Sequence, residues 1–191
     1  MMQTRTTRWL FGSWAVTAVL IGGVLMSYHQ PFLSPDERVL KLARDPGHGQ
    51  WRALHLLSGS CGCSQRVMLH LLGRHPLEGL LEQVLLVDGP GDDLPGSKAL
   101  AVKLQEEGFE VTHLAVKDIP EGIGLRGVPL LVIASPENKI AYLGGYGSAE
   151  EKDQEIYRQV LSGAQPKGLP IIGCAIGARL HRSADPFHLK Y

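Results

Sequence analysis

The chain has 191 residues, 44% hydrophobic and 20% charged, with 19 basic side chains balanced by 19 acidic ones. That length holds one ordinary domain with appendages, and balanced charge without a long like-charge run gives no footing for nucleic acid. Three cysteines are too few for a disulfide-stapled miniprotein. Their odd number leaves one thiol outside a pair, three thiols exchanging in turn, or three acting together as ligands.

Trp9 to Met26 is an uncharged run of 18 residues. As a helix it is about 27 Å long at ~1.5 Å per residue, against ~30 Å of bilayer hydrocarbon. Arg5 and Arg8 precede it, and no charge follows until Asp36. The positive-inside bias therefore predicts a cytoplasmic N-terminus over 1–8, a transmembrane anchor over 9–28, and the remainder outside. Val24 to His29 contains no good A-x-A cleavage pattern, which favours an uncleaved anchor over a signal peptide. In a bacterial inner membrane the outer side is the oxidising periplasm, where paired cysteines exchange with disulfides.

Residues 29–50 read as a tether, with breakers at Pro31, Pro35 and Pro46-Gly47-His48-Gly49. A short helix is expected within it from Asp36 to Ala43, with Val39, Leu40 and Leu42 on its apolar side. Trp51 to Leu57 is a first buried strand and runs into the corner Ser58-Gly59-Ser60-Cys61-Gly62-Cys63-Ser64. Val67, Met68, Leu71 and Leu72 recur at helical spacing, predicting a helix from Ser64 to about Gly73, stopped by Gly73 and Pro76. A strand over Gln83–Val87, a helix from Leu94 to Glu107 ended by Gly108, and a strand over Glu110–Val116 follow. Strands alternating with helices indicate a mainly parallel α/β core. Leu130 to Ala134 is the strongest β run. Ser135 to Lys139 is a hairpin turn, Ile140 to Leu143 the return strand, and Ala149 to Leu161 the last helix. The domain is expected over 51–162, and 163–191 is a C-terminal extension, apolar around Cys174 and expected to pack on the domain.

This order of elements, with the cysteine corner between first strand and first helix and with Arg126-Gly127-Val128-Pro129 before an apolar strand, resembles the thioredoxin-like superfamily. The resemblance implies an α/β fold with a central mixed sheet flanked by helices. It also implies a cis Val128–Pro129 bond facing the cysteines, with Val128 and Pro129 positioning a substrate segment. Cys61 takes the place of the nucleophile. The motif departs from the family's Cys-x-x-Cys: Ser60 replaces the usual Trp, Cys63 comes one residue early, and Ser64 stands where the second Cys would be. A second register, with Ser60 at the first position and Cys63 at the second, stays open. The family's buried acid on the first strand is missing unless His55 fills its proton-handling place.

A helix N-terminus offers N–H groups and partial positive charge, both favouring a thiolate. A Cys61–Cys63 disulfide would close a ring of eleven atoms, three fewer than Cys-x-x-Cys, and the strain would make it a ready oxidant or shuffler. Cys174 is the candidate resolving thiol if its tail reaches the corner. The reading is a membrane-tethered, extracytoplasmic thiol–disulfide oxidoreductase with Cys61 and Cys63 as catalytic residues. Protein thiols and disulfides are its substrates, and no cofactor is required. The alternative is a soft-metal site for Cu(I) or zinc, using Cys61, Cys63 and Cys174 or one of His55, His70, His113 and His181. A noncatalytic tethered binding domain is the third reading. Asp88, Asp92 and Asp93 read as a solvated turn rather than a cation loop.

Overall fold

The computed structural model describes residues 3–27, 36–44, 49–87, 93–120, 123, 125, 127–147 and 151–176. Asp88, Asp92, Arg126, His181, Tyr28, the predicted start of the last helix at Ala149, and 29–35 and 45–48 of the expected tether lie outside them. The chain divides into two compact units, Met1–Pro31 and Phe32–Tyr191.

The first unit is helix α1 (Gln3–Ser27). Trp9, Phe11, Trp14 and Val19 stand exposed along it. The Ser13 and Thr17 hydroxyls donate back to the carbonyls of Leu10 and Ser13, at 3.0 and 2.9 Å. Its described side chains are those of residues 7 and 9–22, and among the described residues no helix is long and apolar enough to cross a membrane.

The second unit is built on a five-stranded sheet. Its strands are β1 (Trp51–Leu57), β2 (Leu80–Val87), β3 (Glu110–Leu114), β5 (Leu130–Ala134) and β6 (Ile140–Gly144), in the order β3-β2-β1-β5-β6. β1 pairs parallel with β2, and β2 with β3, while β5 runs antiparallel to both β1 and β6. The sheet is therefore mixed. Helix α2 (Gly62–Arg74) crosses from β1 to β2, and α3 (Ser97–Glu106) from β2 to β3. Two right-handed crossovers stepping the same way along a sheet leave both helices on one face. Val67, Met68 and Leu71 of α2 and Ala101 and Leu104 of α3 accordingly share a core with Ile156, Tyr157 and Val160 of α4 (Asp153–Leu161).

The opposite face is covered by irregular chain. Its core joins Leu54 and Leu56 of β1, Leu85 of β2 and Leu130 and Val132 of β5 to Val39, Leu40, Ile119 and Ile123. Alternation along β1 sends Ala53, His55 and Leu57 to the helical face and Leu54 and Leu56 to this one. The mixed sheet with its helices fits an α/β thioredoxin-like fold, with α2, α3 and α4 sharing one face.

Several boundaries differ from expectation, each for a local reason. α2 begins at Gly62 and runs through Gly73, the chain turning instead at His75, whose φ is 58°. α3 starts three residues later than expected because Gly96 is left-handed, φ 84°. After Leu114 the chain leaves the sheet and tightens into a 3-10 turn, Val116–Asp118. Within residues 36–44 of the expected tether, the apolar side packs on the domain. Asp36 caps a 3-10 turn, Glu37–Leu42, whose Val39 and Leu40 are buried, and the Arg44 carbonyl accepts from Gln83 at 3.0 Å.

The C-terminal extension also docks, through glycines. A Cβ at Gly144, Gly145 or Gly168 would overlap backbone of the facing segment: Leu169, Pro170 and Leu143 respectively. Gly145 N–H donates to the Leu169 carbonyl at 2.8 Å, and Leu169 N–H to the Tyr142 hydroxyl at 3.2 Å. The extension then forms β7 (Cys174–Ala175), antiparallel to β4 (Gly127–Val128), with Val128 opposite Cys174.

Candidate active site

Cys61 is the N-cap of α2 and is completely buried. A turn from the Ser58 carbonyl to the Cys61 N–H, 3.2 Å, sets the corner. The corner is pinned to the start of α3, because Leu94 N–H and the Ser97 hydroxyl both donate to the Gly59 carbonyl, at 2.8 and 2.9 Å. A Cβ at Gly59 would meet the carboxylate of Asp93, whose side chain is exposed.

The Cys61 thiol donates to the Val128 carbonyl, Sγ···O 3.8 Å. Val128–Pro129 is a cis peptide bond. No disulfide joins the three cysteines. The Cys174 thiol hydrogen-bonds the Cys61 sulfur and is the largest influence lowering its pKa. Burial opposes the charge, while Ser64 and the Cys63 N–H add further support, leaving the thiol at about 5 instead of 9.0. The N–H groups of Cys63 and Ser64 are turned toward the sulfur as in any N-cap. Neither completes a cap hydrogen bond to it. The Ser64 hydroxyl is fully buried with no partner of full hydrogen-bond geometry, so a sulfur anion would satisfy an otherwise orphaned donor.

The structure therefore brings Cys61, Cys63, Cys174 and Val128 into one apolar cluster, which Ile171 and Ile176 of the extension also join. It does not bring His55 there. His55 lies on the other face of β1, its Nδ1 against the Tyr146 hydroxyl at 2.5 Å and its Nε2 against Glu82 at 2.9 Å. The expectation that His55 stands in for a buried acid beside the nucleophile is corrected: the alternation of β1 turns its ring away from Cys61. His70 is likewise committed, to Asp153 at 2.8 Å, and His113 is exposed on β3. Among the described residues no group of three His, Cys, Asp or Glu side chains could hold a metal ion, and His181 lies outside them.

A buried ionic network under the helical face escaped the sequence reading. Arg74 bridges Glu82 and Asp153, with Nη1 to Glu82 Oε1 at 2.9 Å and Nε to Asp153 Oδ2 at 2.7 Å. His55, His70 and the Leu77 N–H complete the carboxylates. It ties α2, β2 and α4 together and so fixes the C-terminal end of the helix that carries Cys61 at its head. The available signal was polar: Glu82 interrupts the apolar run of β2, and Arg74 is a cation closing an amphipathic helix.

No family model matches the chain, and no curated protein matches it. Solved structures do. An uncharacterized conserved protein of Geobacillus kaustophilus superposes with a TM-score of 0.51 at 17% identity, covering 68% of this chain and 77% of its own. A hypothetical protein of Sinorhizobium meliloti 1021 gives 0.47 at 16% identity, over 78% and 91% of the two chains. A solution structure from Neisseria meningitidis, called a "putative thioredoxin", gives 0.43 at 19% identity, over 60% and 75%. At these identities the Geobacillus likeness is one of fold alone.

Proposed function

We propose that this chain is a thiol–disulfide oxidoreductase with Cys61 as nucleophile and Cys63 as a companion thiol. The observation that carries the reading is the cluster of donors around one sulfur at the head of α2: the Cys174 thiol, Ser64 and the Cys63 N–H, which hold Cys61 at about 5. At neutral pH such a sulfur is a thiolate, the form that attacks disulfides.

In the exchange, the Cys61 thiolate attacks one sulfur of a client disulfide. The client S–S bond breaks, one client sulfur leaves as thiolate, and a Cys61–client mixed disulfide remains. A second thiol of this chain gives up its proton and attacks the Cys61 sulfur, and the other client sulfur departs as thiolate. The client gains two electrons and the protein carries a disulfide. Run backwards, the same steps oxidise a client dithiol.

Attachment to a membrane through α1, with the redox domain on the outer side, is part of the proposal. The uncharged run from Trp9 to Met26, the exposed aromatic and aliphatic side chains along α1 and the preceding Arg5 and Arg8 support it.

The test uses the full chain in detergent, with insulin reduction and reductive or oxidative refolding of RNase as readouts. Cys61→Ser should abolish exchange. Exchange at the native rate in that variant would overturn the assignment. Retention in the membrane pellet after alkaline carbonate extraction tests the attachment, and release into the supernatant would refute it.

A further inference from the structure

The corner offers Cys61 two partners, and the geometry treats them differently. Cys63 sits in the first turn of α2, two residues along a helix that is closed behind Cys61 by the Gln65 N–H to Cys61 carbonyl bond, 2.9 Å. Bonding those two sulfurs would close the eleven-atom ring within the turn, and that turn would have to open. Cys174 needs no such change. It packs in the same apolar cluster as Cys61, brought there by a strand whose backbone pairs with Val128, the residue whose carbonyl accepts the Cys61 thiol.

The same carbonyl, that of Val128, receives the Cys61 thiol. The seat of the strand is shaped for backbone. A Cβ at Gly127 would lie 3.0 Å from the Cys174 carbonyl oxygen, and one at Gly173 would overlap the Val128 carbonyl and the Pro129 ring. Ile171 and Ile176, flanking Cys174, pack into the apolar cluster that contains Cys61. The extension is thus a fitted cover over the nucleophile, and its one cysteine joins the cluster that holds the one fully buried cysteine of the domain.

From this juxtaposition we propose that Cys174 is the resolving cysteine and that the working disulfide of this protein is Cys61–Cys174. This rests on the thiol-exchange reading and names the second thiol in it. The segment Gly173–Ala175 gives way to a client, and the Cys61 thiolate breaks the client disulfide to form the mixed disulfide. The segment then returns to β4. Cys174 loses its proton and its sulfur attacks Cys61 Sγ. The Cys61–client bond breaks, the client leaves as a thiolate, and the Cys61–Cys174 bond forms. The two electrons delivered to the client come from the two protein thiols. An external dithiol restores them by the same two steps in reverse. Cys63, whose N–H faces the Cys61 sulfur, is not needed as a bonding partner.

The experiment equilibrates the full chain in detergent with a graded glutathione buffer, quenches by alkylation and maps disulfides by mass spectrometry without reduction. The wild type and Cys63→Ser should both give a linked Cys61–Cys174 peptide pair. Cys174→Ser should accumulate the Cys61–glutathione mixed disulfide and lose turnover by roughly tenfold or more, as resolution becomes the slow step. A Cys61–Cys63 bond as the sole intramolecular disulfide of the wild type would overturn the proposal without recourse to any variant. So would native turnover in Cys174→Ser combined with loss of turnover in Cys61→Ser, a pattern that leaves the exchange reading intact. Native turnover in Cys61→Ser would remove both.

Discussion

Gly173 lies against Val128 and Pro129 so closely that any side chain at 173 would overlap the Val128 carbonyl. The docking of the C-terminal cover over Cys61 therefore depends on a missing methyl group. Overpacking of this kind costs about 1–3 kcal/mol, which corresponds to roughly 5- to 150-fold in a two-state population. Gly173→Ala is expected to raise the population of undocked cover by that factor. The readout is alkylation of Cys61 under native conditions, which tracks the open population when closing is fast. An unchanged alkylation rate in a folded variant would show that Cys61 is reached by another route.

The cause of the low Cys61 pKa gives a sharper comparison. Because the Cys174 thiol is the largest influence, Cys174→Ala should raise the Cys61 pKa, while Cys174→Ser retains a hydroxyl donor and should raise it less. Thiolate absorbance in the ultraviolet, titrated for each chain, checks the order. Equal values in the two variants would mean that the helix N-terminus and Ser64 carry the shift.

Part of this site was legible in the sequence, and the division has a physical basis. Trp51–Leu57 and Leu130–Ala134 were readable to the residue: the second is a continuous apolar run, as a strand buried on both faces should be, and the first is a mainly apolar run, broken only by Arg52 and His55, that ends at a Ser/Gly corner. The Cys61 corner was legible from its place between such a strand and an amphipathic helix. The start of α2 was not, since Cys61 serves as cap while the hydroxyl of Ser64, a residue type that usually caps, is buried. The pairing of Val128 with Cys174 joins segments distant in sequence and rests on two-residue strands, too short to show a period. Only the glycine beside Cys174 hinted at a close backbone approach. The Arg74–Glu82–Asp153 network likewise joins isolated polar residues, and nothing local marks them as partners.

The Cys61 thiol should also leave a mark on pH dependence. Its folded-state pKa, about 5, lies below the ordinary value of 9.0. A depressed acid contributes stability that is fully present above its unfolded pKa and is lost as pH falls through the folded one. Between those limits the contribution declines with pH, and below about pH 5 it is gone. Exchange activity should follow the thiolate and fall off through the same lower limit. Comparing wild type with Cys61→Ser by urea denaturation across pH 4–9 isolates the contribution. A constant difference in stability across that range would contradict the depressed pKa.

The ionic network sets a second acid limit at lower pH. Burial works against the charge of Glu82, yet hydrogen bonds from His55 and Arg74 win and hold it at about 2. Burial likewise opposes Asp153, and the hydrogen bond from His70 with the charge of Arg74 holds it at about 2. Both carboxylates therefore contribute stability that is complete above their ordinary values of 4.5 and 3.8 and is lost as pH falls through about 2. Removing one partner of a buried pair leaves an uncompensated charge, typically at about 3–5 kcal/mol. Arg74→Met should cost an amount in that range at pH 7, because it strands two buried carboxylates at once. As pH falls toward 2 the carboxylates of the variant protonate first, so the gap to wild type should narrow. Urea denaturation of both chains at pH 7 and pH 3 decides it. A loss under about 1 kcal/mol at pH 7 would show that water or the two histidines satisfy Glu82 and Asp153 without the guanidinium.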